Sequence, residues 1–120
     1  MRIIIVDDSP SVRYLVKFTL EKVGHIIITA VDGVDALIKL KISPVDMVLT
    51  DLDMPRMNGL TLIEELRKTT STFKFVPIVM LSTISHSKLK AESKRAGATG
   101  WITKPFKPAT LVKVIEKILG

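Results

Sequence analysis

The chain predicts an α/β domain, a doubly wound, five-stranded parallel sheet covered on both faces by five helices. Three observations carry that reading. Five short apolar runs alternate with segments of helical period along the whole chain. Two of the runs, residues 3–6 and 78–81, are apolar at every position, as befits strands buried on both faces. The runs also deliver residues with chemical potential, which a parallel sheet would gather at its carboxyl edge, where such folds place their sites.

The first strand, Arg2-Ile3-Ile4-Ile5-Val6, runs into Asp7-Asp8. Ser9 then supplies an N-cap and Pro10 a first helical residue. Val12, Leu15, Val16, Thr19, Leu20 and Val23 recur at helical spacing until Gly24 stops the helix. A second strand is expected over about 26–31. Asp32-Gly33 turns the chain into a short helix with Ala36, Leu37 and Leu40 inward, and Pro44 precedes the third strand. That strand, residues 46–50, runs into Asp51. The loop Asp53-Met54-Pro55-Arg56-Met57-Asn58-Gly59 leads to a third helix with Leu60, Ile63 and Leu66 on its stripe. A polar connection over 69–74 enters the fourth strand, which delivers Ser82. The fourth helix, about 86–96, offers chiefly Leu89 and Ala96 and should depend on its neighbours for stability. Gly97 is its stop. Gly100-Trp101-Ile102-Thr103 then delivers Lys104-Pro105, and a last helix from Pro108 buries Leu111, Val114, Ile115 and Ile118. Right-handed crossovers are expected between the parallel strands.

A chain of 120 residues suits one domain, taken as 1–120. No apolar run reaches the roughly 18 residues a membrane helix needs, so no membrane insertion is expected. With no cysteine, thiolate metal sites and disulfides are excluded, which suits a reducing compartment, and a cytoplasmic location is expected. The net charge of +6 is concentrated. Residues 1–84 hold ten basic and ten acidic residues and sum to zero, whereas residues 85–120 hold eight basic against two acidic. That excess reads either as a solvated surface or as a docking face for an acidic partner.

Asp7, Asp8 and Asp51 at neighbouring strand ends would repel one another unless a cation neutralised them. An all-oxygen ligand set favours Mg²⁺ or Mn²⁺. The paired acids can also be read as a cap for the first helix. A carboxylate can attack phosphorus to give an acyl phosphate, a transfer that needs charge neutralisation more than covalent help. Lys104 and Ser82 are placed to take phosphoryl oxygens.

At these residues the chain resembles the receiver domains of two-component response regulators, specifically the stand-alone, chemotaxis-type (CheY-like) kind. The motifs are Ile-Val-Asp7-Asp8-Ser, Leu-Thr-Asp51-Leu-Asp53-Met-Pro-Arg-Met-Asn-Gly59, Met-Leu-Ser82-Thr83, Ala-Gly97-Ala and Lys104-Pro105-Phe106. The resemblance covers essentially the whole chain. It implies a flavodoxin-like strand order of 2-1-3-4-5 and a phospho-acceptor at Asp51, charged from a sensor histidine kinase, a phosphotransfer domain or acetyl phosphate. It further implies Mg²⁺ held by Asp7, Asp8, Asp51 and the backbone carbonyl of Asp53. Ser82 would be the switch hydroxyl, Lys104 its charge partner and Trp101 the rotating aromatic, with the Lys104–Pro105 bond cis. The output face would comprise the fourth helix, fifth strand and fifth helix, with no external substrate turned over.

Several residues depart from the family pattern or lie outside it. Asp53, two beyond the acceptor, and Ile84, two beyond the switch hydroxyl, are expected to tune the lifetime of the phosphoryl group. Ile84 cannot hydrogen-bond a hydrolytic water and should limit hydrolysis, and Asp53 should partly offset it. Tyr14 and Phe18 lie opposite the apolar stripe of the first helix. They read either as a mutually supporting surface pair or as a docking patch for a kinase phosphotransfer domain or a phosphatase. Lys88, Lys90, Lys94 and Lys113 are candidates for an acidic downstream target.

Two other classes compete with this reading. Asp51-Leu52-Asp53 resembles the nucleophile motif of haloacid-dehalogenase-type phosphatases. Those proteins carry Thr or Val where Met54-Pro55 stand, and their paired acids come late in the chain. A nucleic-acid-binding module, suggested by the basic end, lacks any supporting motif, so no direct nucleic-acid contact is expected. A chain ending at Gly120, just past the fifth helix, fits either a natural single domain or a receiver cut from a longer transcription factor.

Overall fold

The computed structural model describes residues 1–68, 71–83 and 87–120. Its elements run β1 (Arg2–Val6), α1 (Pro10–Lys22), β2 (Ile26–Ala30), α2 (Gly33–Ile42), β3 (Met47–Asp51), α3 (Gly59–Leu66), β4 (Ile78–Ser82), α4 (Ser87–Ala96), β5 (Gly100–Thr103) and α5 (Pro108–Leu119). All strands are parallel and lie in the order β2-β1-β3-β4-β5. The chain therefore reverses its direction of travel across the sheet at β1 and β3. A crevice opens there beyond the carboxyl ends of the strands. None of the described helices is long and apolar enough to cross a membrane.

The strands are buried on both sides because alternate residues face opposite layers. Ile4, Val6, Val48, Ile78 and Met80 pack with Ala36 and Leu40 of α2 and Leu62, Ile63 and Leu66 of α3. Their neighbours Ile3, Ile5, Met47, Leu49, Val79 and Leu81 pack with Val16 and Leu20 of α1 and Leu111 and Ile115 of α5. Leu89 and Ala96 of α4 are only half-buried against the first of these layers, in keeping with its sparse apolar content.

Helix starts follow the local signals. Ser9 Oγ accepts from the Val12 amide at 3.3 Å, so Ser9 rather than Asp8 caps α1. Asp32 caps α2 through the Asp35 amide and Asn58 caps α3 through the Thr61 amide, each at 2.9 Å. Gly59 is required by a close approach. A Cβ there would collide with the Asp51 carbonyl oxygen and come within 3.1 Å of Leu52 Cα.

Two expectations for the apolar stripe of α1 need correcting. Leu15 and Val23 are exposed. Val23 is the C-cap, beyond the last helical turn. Leu15 rims a hollow shared with Val12, Thr83, Lys104, Pro105 and Phe106. Strand ends shift by a residue as well. β2 stops at Ala30, β3 starts at Met47, and Asp51 and Ser82 are the last residues of their strands rather than the first beyond them.

Candidate functional site

Register brings the site together. Val6 pairs with Thr50, so Asp7 and Asp51 emerge side by side at the ends of β1 and β3. One carboxylate oxygen each from Asp7, Asp8 and Asp51 lies within 4.8 Å of the others. Asp7 and Asp51 are buried and Asp8 is exposed, so the cluster opens to solvent on one side. From the far side of β4, Lys104 reaches across. Its Nζ lies 2.6 Å from Asp7 Oδ2 and 3.3 Å from Asp51 Oδ1. The Lys104 amide donates to the Ser82 carbonyl at 2.8 Å, which ties the lysine to the end of β4. The Lys104–Pro105 bond is cis.

Three carboxylates against one ammonium leave two negative charges uncompensated in a partly enclosed crevice. Burial, and then the charge of Asp7, push the Asp51 carboxyl above its ordinary value, and Lys104 only partly counters them. Burial works against the Lys104 ammonium, but its hydrogen bond to Asp7 and the charges of Asp7 and Asp51 outweigh that and raise its pKa. A divalent cation with oxygen ligands fits this charge and donor set.

Two polar groups hold the crevice in shape. The Asp7 carboxylate accepts from the Ser9 amide at 2.9 Å, which aims it back into the site. Arg13, from the second turn of α1, donates to the Asp7 carbonyl at 2.7 Å.

This geometry matches a known family. The model of the response regulator receiver domain matches residues 3–116. The chain belongs to the response regulator receiver family. It is 38% identical over 122 residues to chemotaxis protein CheY1 of Helicobacter pylori, covering 100% of this chain and 98% of the relative. It is 36% identical over 119 residues to protein PilH of Pseudomonas aeruginosa, covering 99% and 98% respectively. The structure of chemotaxis protein CheY4 of Vibrio cholerae superposes with a TM-score of 0.93 at 40% identity, covering 98% of this chain and 97% of that one. The fold class and strand order match that solved structure.

The other residues singled out in this receiver are spread around the cluster. Ser82 is buried at the end of β4, next to the β3 end that carries Asp51. Asp53 is exposed in the loop after β3. Ile84 lies outside the described residues, as does the expected helical residue 86. Trp101 is half-buried on β5, opposite Met80. Its indole N–H is buried with no hydrogen-bond partner among the described residues. Lys90 Nζ sits 6.0 Å from its ring centroid. Lys90, Lys94, Ser93 and Trp101 line a hollow of about 250 Å³ between α4 and β5. Lys88, Lys90 and Lys94 on α4 and Lys113 on α5 are all exposed. Tyr14 and Phe18 are 70% and 49% exposed, stacked on each other with centroids 6.0 Å apart.

Sequence reading missed two features. Arg13 carries no motif that announces its reach to Asp7. Arg56 adopts a left-handed backbone with φ 64°, which costs a non-glycine residue roughly 1–2 kcal/mol. Its guanidinium makes a two-pronged pair with buried Asp32, and that pair, then the Asp35 amide, holds the Asp32 carboxyl below its ordinary value. Arginine shows no preference for that backbone region, so nothing local signals it.

Proposed function

We propose that the 120 residues act as a phosphorylation-controlled signalling switch with Asp51 as the acceptor. The observation that carries this is the position of Asp51. It ends the central strand within 4.8 Å of two further carboxylates and 3.3 Å from the Lys104 ammonium. A carboxylate oxygen of Asp51 attacks the donor phosphorus. A P–O bond forms as the donor's P–N or P–O bond breaks, and the leaving imidazole or acetate takes the electron pair. Asp7, Asp8, Asp51 and the Asp53 backbone carbonyl would hold Mg²⁺ or Mn²⁺, which when bound supplies charge neutralisation at the transferring group. Lys104 and Ser82 take the remaining phosphoryl oxygens. Asp53 and Ile84 set the lifetime of the acyl phosphate, an idea sunk by a lifetime indifferent to both Asp53→Asn and Ile84→Glu.

The donor is a sensor histidine kinase or phosphotransfer domain, as the similarity to chemotaxis proteins supports. The readout is a shift in a pre-existing equilibrium of the α4–β5–α5 face as Ser82 engages the phosphoryl group and Trp101 turns inward. Lys88, Lys90, Lys94 and Lys113 make that face suited to an acidic target protein. The process served is motility or a phosphorelay, and a phosphatase resets the switch.

Trp101 is the only tryptophan, so its fluorescence reports on the switch directly. Titration with Mg²⁺ and then acetyl phosphate should give a saturable change whose second stage disappears in Asp51→Asn. A wild-type protein silent to both, with no phosphoryl group detected by mass, would refute the switch.

A further inference from the structure

The loop that follows Asp51 is fastened to the start of α2 by contacts that the acidic cluster does not require. Arg56 is the only described non-glycine residue with positive φ. Its Nε donates to Asp32 Oδ2 at 2.7 Å and its Nη2 to Oδ1 at 3.1 Å. One residue further on, the Gly33 amide donates to the Met57 carbonyl at 3.3 Å. The Met57 side chain lies over bare Gly33, where an added Cβ would meet it at 2.7–2.9 Å. The far end of the loop is closed separately by the Gly59 amide on the Leu52 carbonyl at 2.8 Å. What the Arg56 and Met57 contacts immobilise is therefore the middle of the loop, three residues beyond Asp53.

We propose that Arg56 is a positioning residue, whose clamp on Asp32 sets the direction of the loop and so holds the Asp53 backbone carbonyl ready for a divalent cation. The inference rests on the metal role proposed for Asp7, Asp8 and Asp51 and deepens it. A guanidinium fork on a carboxylate fixes orientation as well as distance, which a lysine cannot do. Asp32 is a firm anchor because it is buried and caps α2 with the same Oδ1. The Arg56 side chain is 58% exposed, so solvent screens the guanidinium end of the pair while the Asp32 end is buried. The effect of the pair falls on the loop, by lowering the ordering that ion binding would otherwise demand.

The test is Mg²⁺ titration of the full chain by calorimetry, with amide NMR shifts of residues 52–58 and the melting temperature recorded for each variant. Asp32→Asn keeps a competent helix cap while removing the charge, so it serves even if Arg56→Ala folds poorly. Both variants are expected to bind Mg²⁺ about fivefold more weakly, ~1 kcal/mol, and Asp32→Asn, which leaves no carboxylate charge buried, should keep a melting temperature close to wild type. Arg56→Lys should recover part of the loss. The double variant should be no weaker than either single one, as two ends of one clamp require. Wild-type Mg²⁺ affinity in both single variants, or fully additive losses in the double variant, would overturn the clamp. A wild-type protein that fails to bind Mg²⁺ overturns the metal site itself and the clamp with it, an outcome recognisable from the wild type alone.

Discussion

Replacing Asp51 by asparagine should stabilise the metal-free protein while weakening its response to Mg²⁺. Asp51 is 8% exposed, so its charge is largely removed from water, at a cost of several kcal/mol for a buried carboxylate. Asp7 adds repulsion of about 3.5 kcal/mol or more for charges within 4.8 Å at an effective dielectric near 20. Lys104, at 3.3 Å, returns about 5 kcal/mol on the same scale. Burial and the Asp7 repulsion outweigh the attraction of Lys104, so the ionised form is disfavoured and the Asp51 carboxyl is displaced upward. For 120 residues, unfolding entropy of about 2.1 cal/mol/K per residue turns each kcal/mol so recovered into a melting temperature higher by ~4 °C. The sign of the pH dependence follows. Below the ordinary value of 3.8 both folded and unfolded Asp51 are protonated and the variant gains nothing from the charge. As pH rises through the raised folded value, the wild type loses stability that the asparagine variant keeps, so the gap opens and is complete near neutrality. Saturating Mg²⁺ should reverse the order. At an ion concentration of 100 times its dissociation constant, the wild type gains about 2.7 kcal/mol, and the variant should gain far less. Thermal melts across pH, with chelator and with Mg²⁺, read all of this. An Asp51→Asn protein less stable than wild type in chelator at neutral pH, or a gap independent of pH, would refute the charge argument.

Other outcomes follow from the same geometry. Gly59→Ala should cost about 1–3 kcal/mol and slow phosphorylation, because the new methyl group displaces the Asp51 carbonyl. Denaturant melts and acetyl phosphate kinetics measure the two effects, and a neutral variant would mean that the β3–α3 junction yields freely. Leu62→Ala, at a fully buried position of α3, should cost 2–5 kcal/mol, read as a lower denaturant midpoint at unchanged slope. Tyr14→Ala and Phe18→Ala should each alter stability by only a few tenths of a kcal/mol, since both rings are largely exposed. Unchanged phosphotransfer from the cognate kinase in both variants would dismiss these rings as a docking patch. Charge reversal at Lys90 and Lys94 should weaken target binding and flatten its salt dependence.

Much of the fold was legible because local signals agreed with one another. Ser9-Pro10, Asp32 and Asn58 each start a helix where their side chains can cap it. The uninterrupted apolar strands announced burial on both sides, yet for the same reason they hid which residue faces which helix layer. Ile3 and Ile4 look alike in sequence and pack against opposite layers. Leu15 shows the converse limit. Helical spacing assigns it to the buried stripe, but α1 leaves it at the rim of a hollow beside Pro105 and Phe106.

Residue order alone supplied the inventory of the site: carboxylates after the first strand and at the end of the third, a hydroxyl at the end of the fourth and a lysine after the fifth. Strand termini are one-dimensional facts, and a parallel sheet turns them into neighbours. Folding in three dimensions set the distances, the burial that raises the Asp51 carboxyl, and the reach of Arg13 to Asp7. It alone paired Arg56 with Asp32, residues 24 positions apart that meet because the parallel strands β2 and β3 end at the same edge of the sheet. Electrostatics depends on separation and solvent access, and neither quantity exists until the chain has folded.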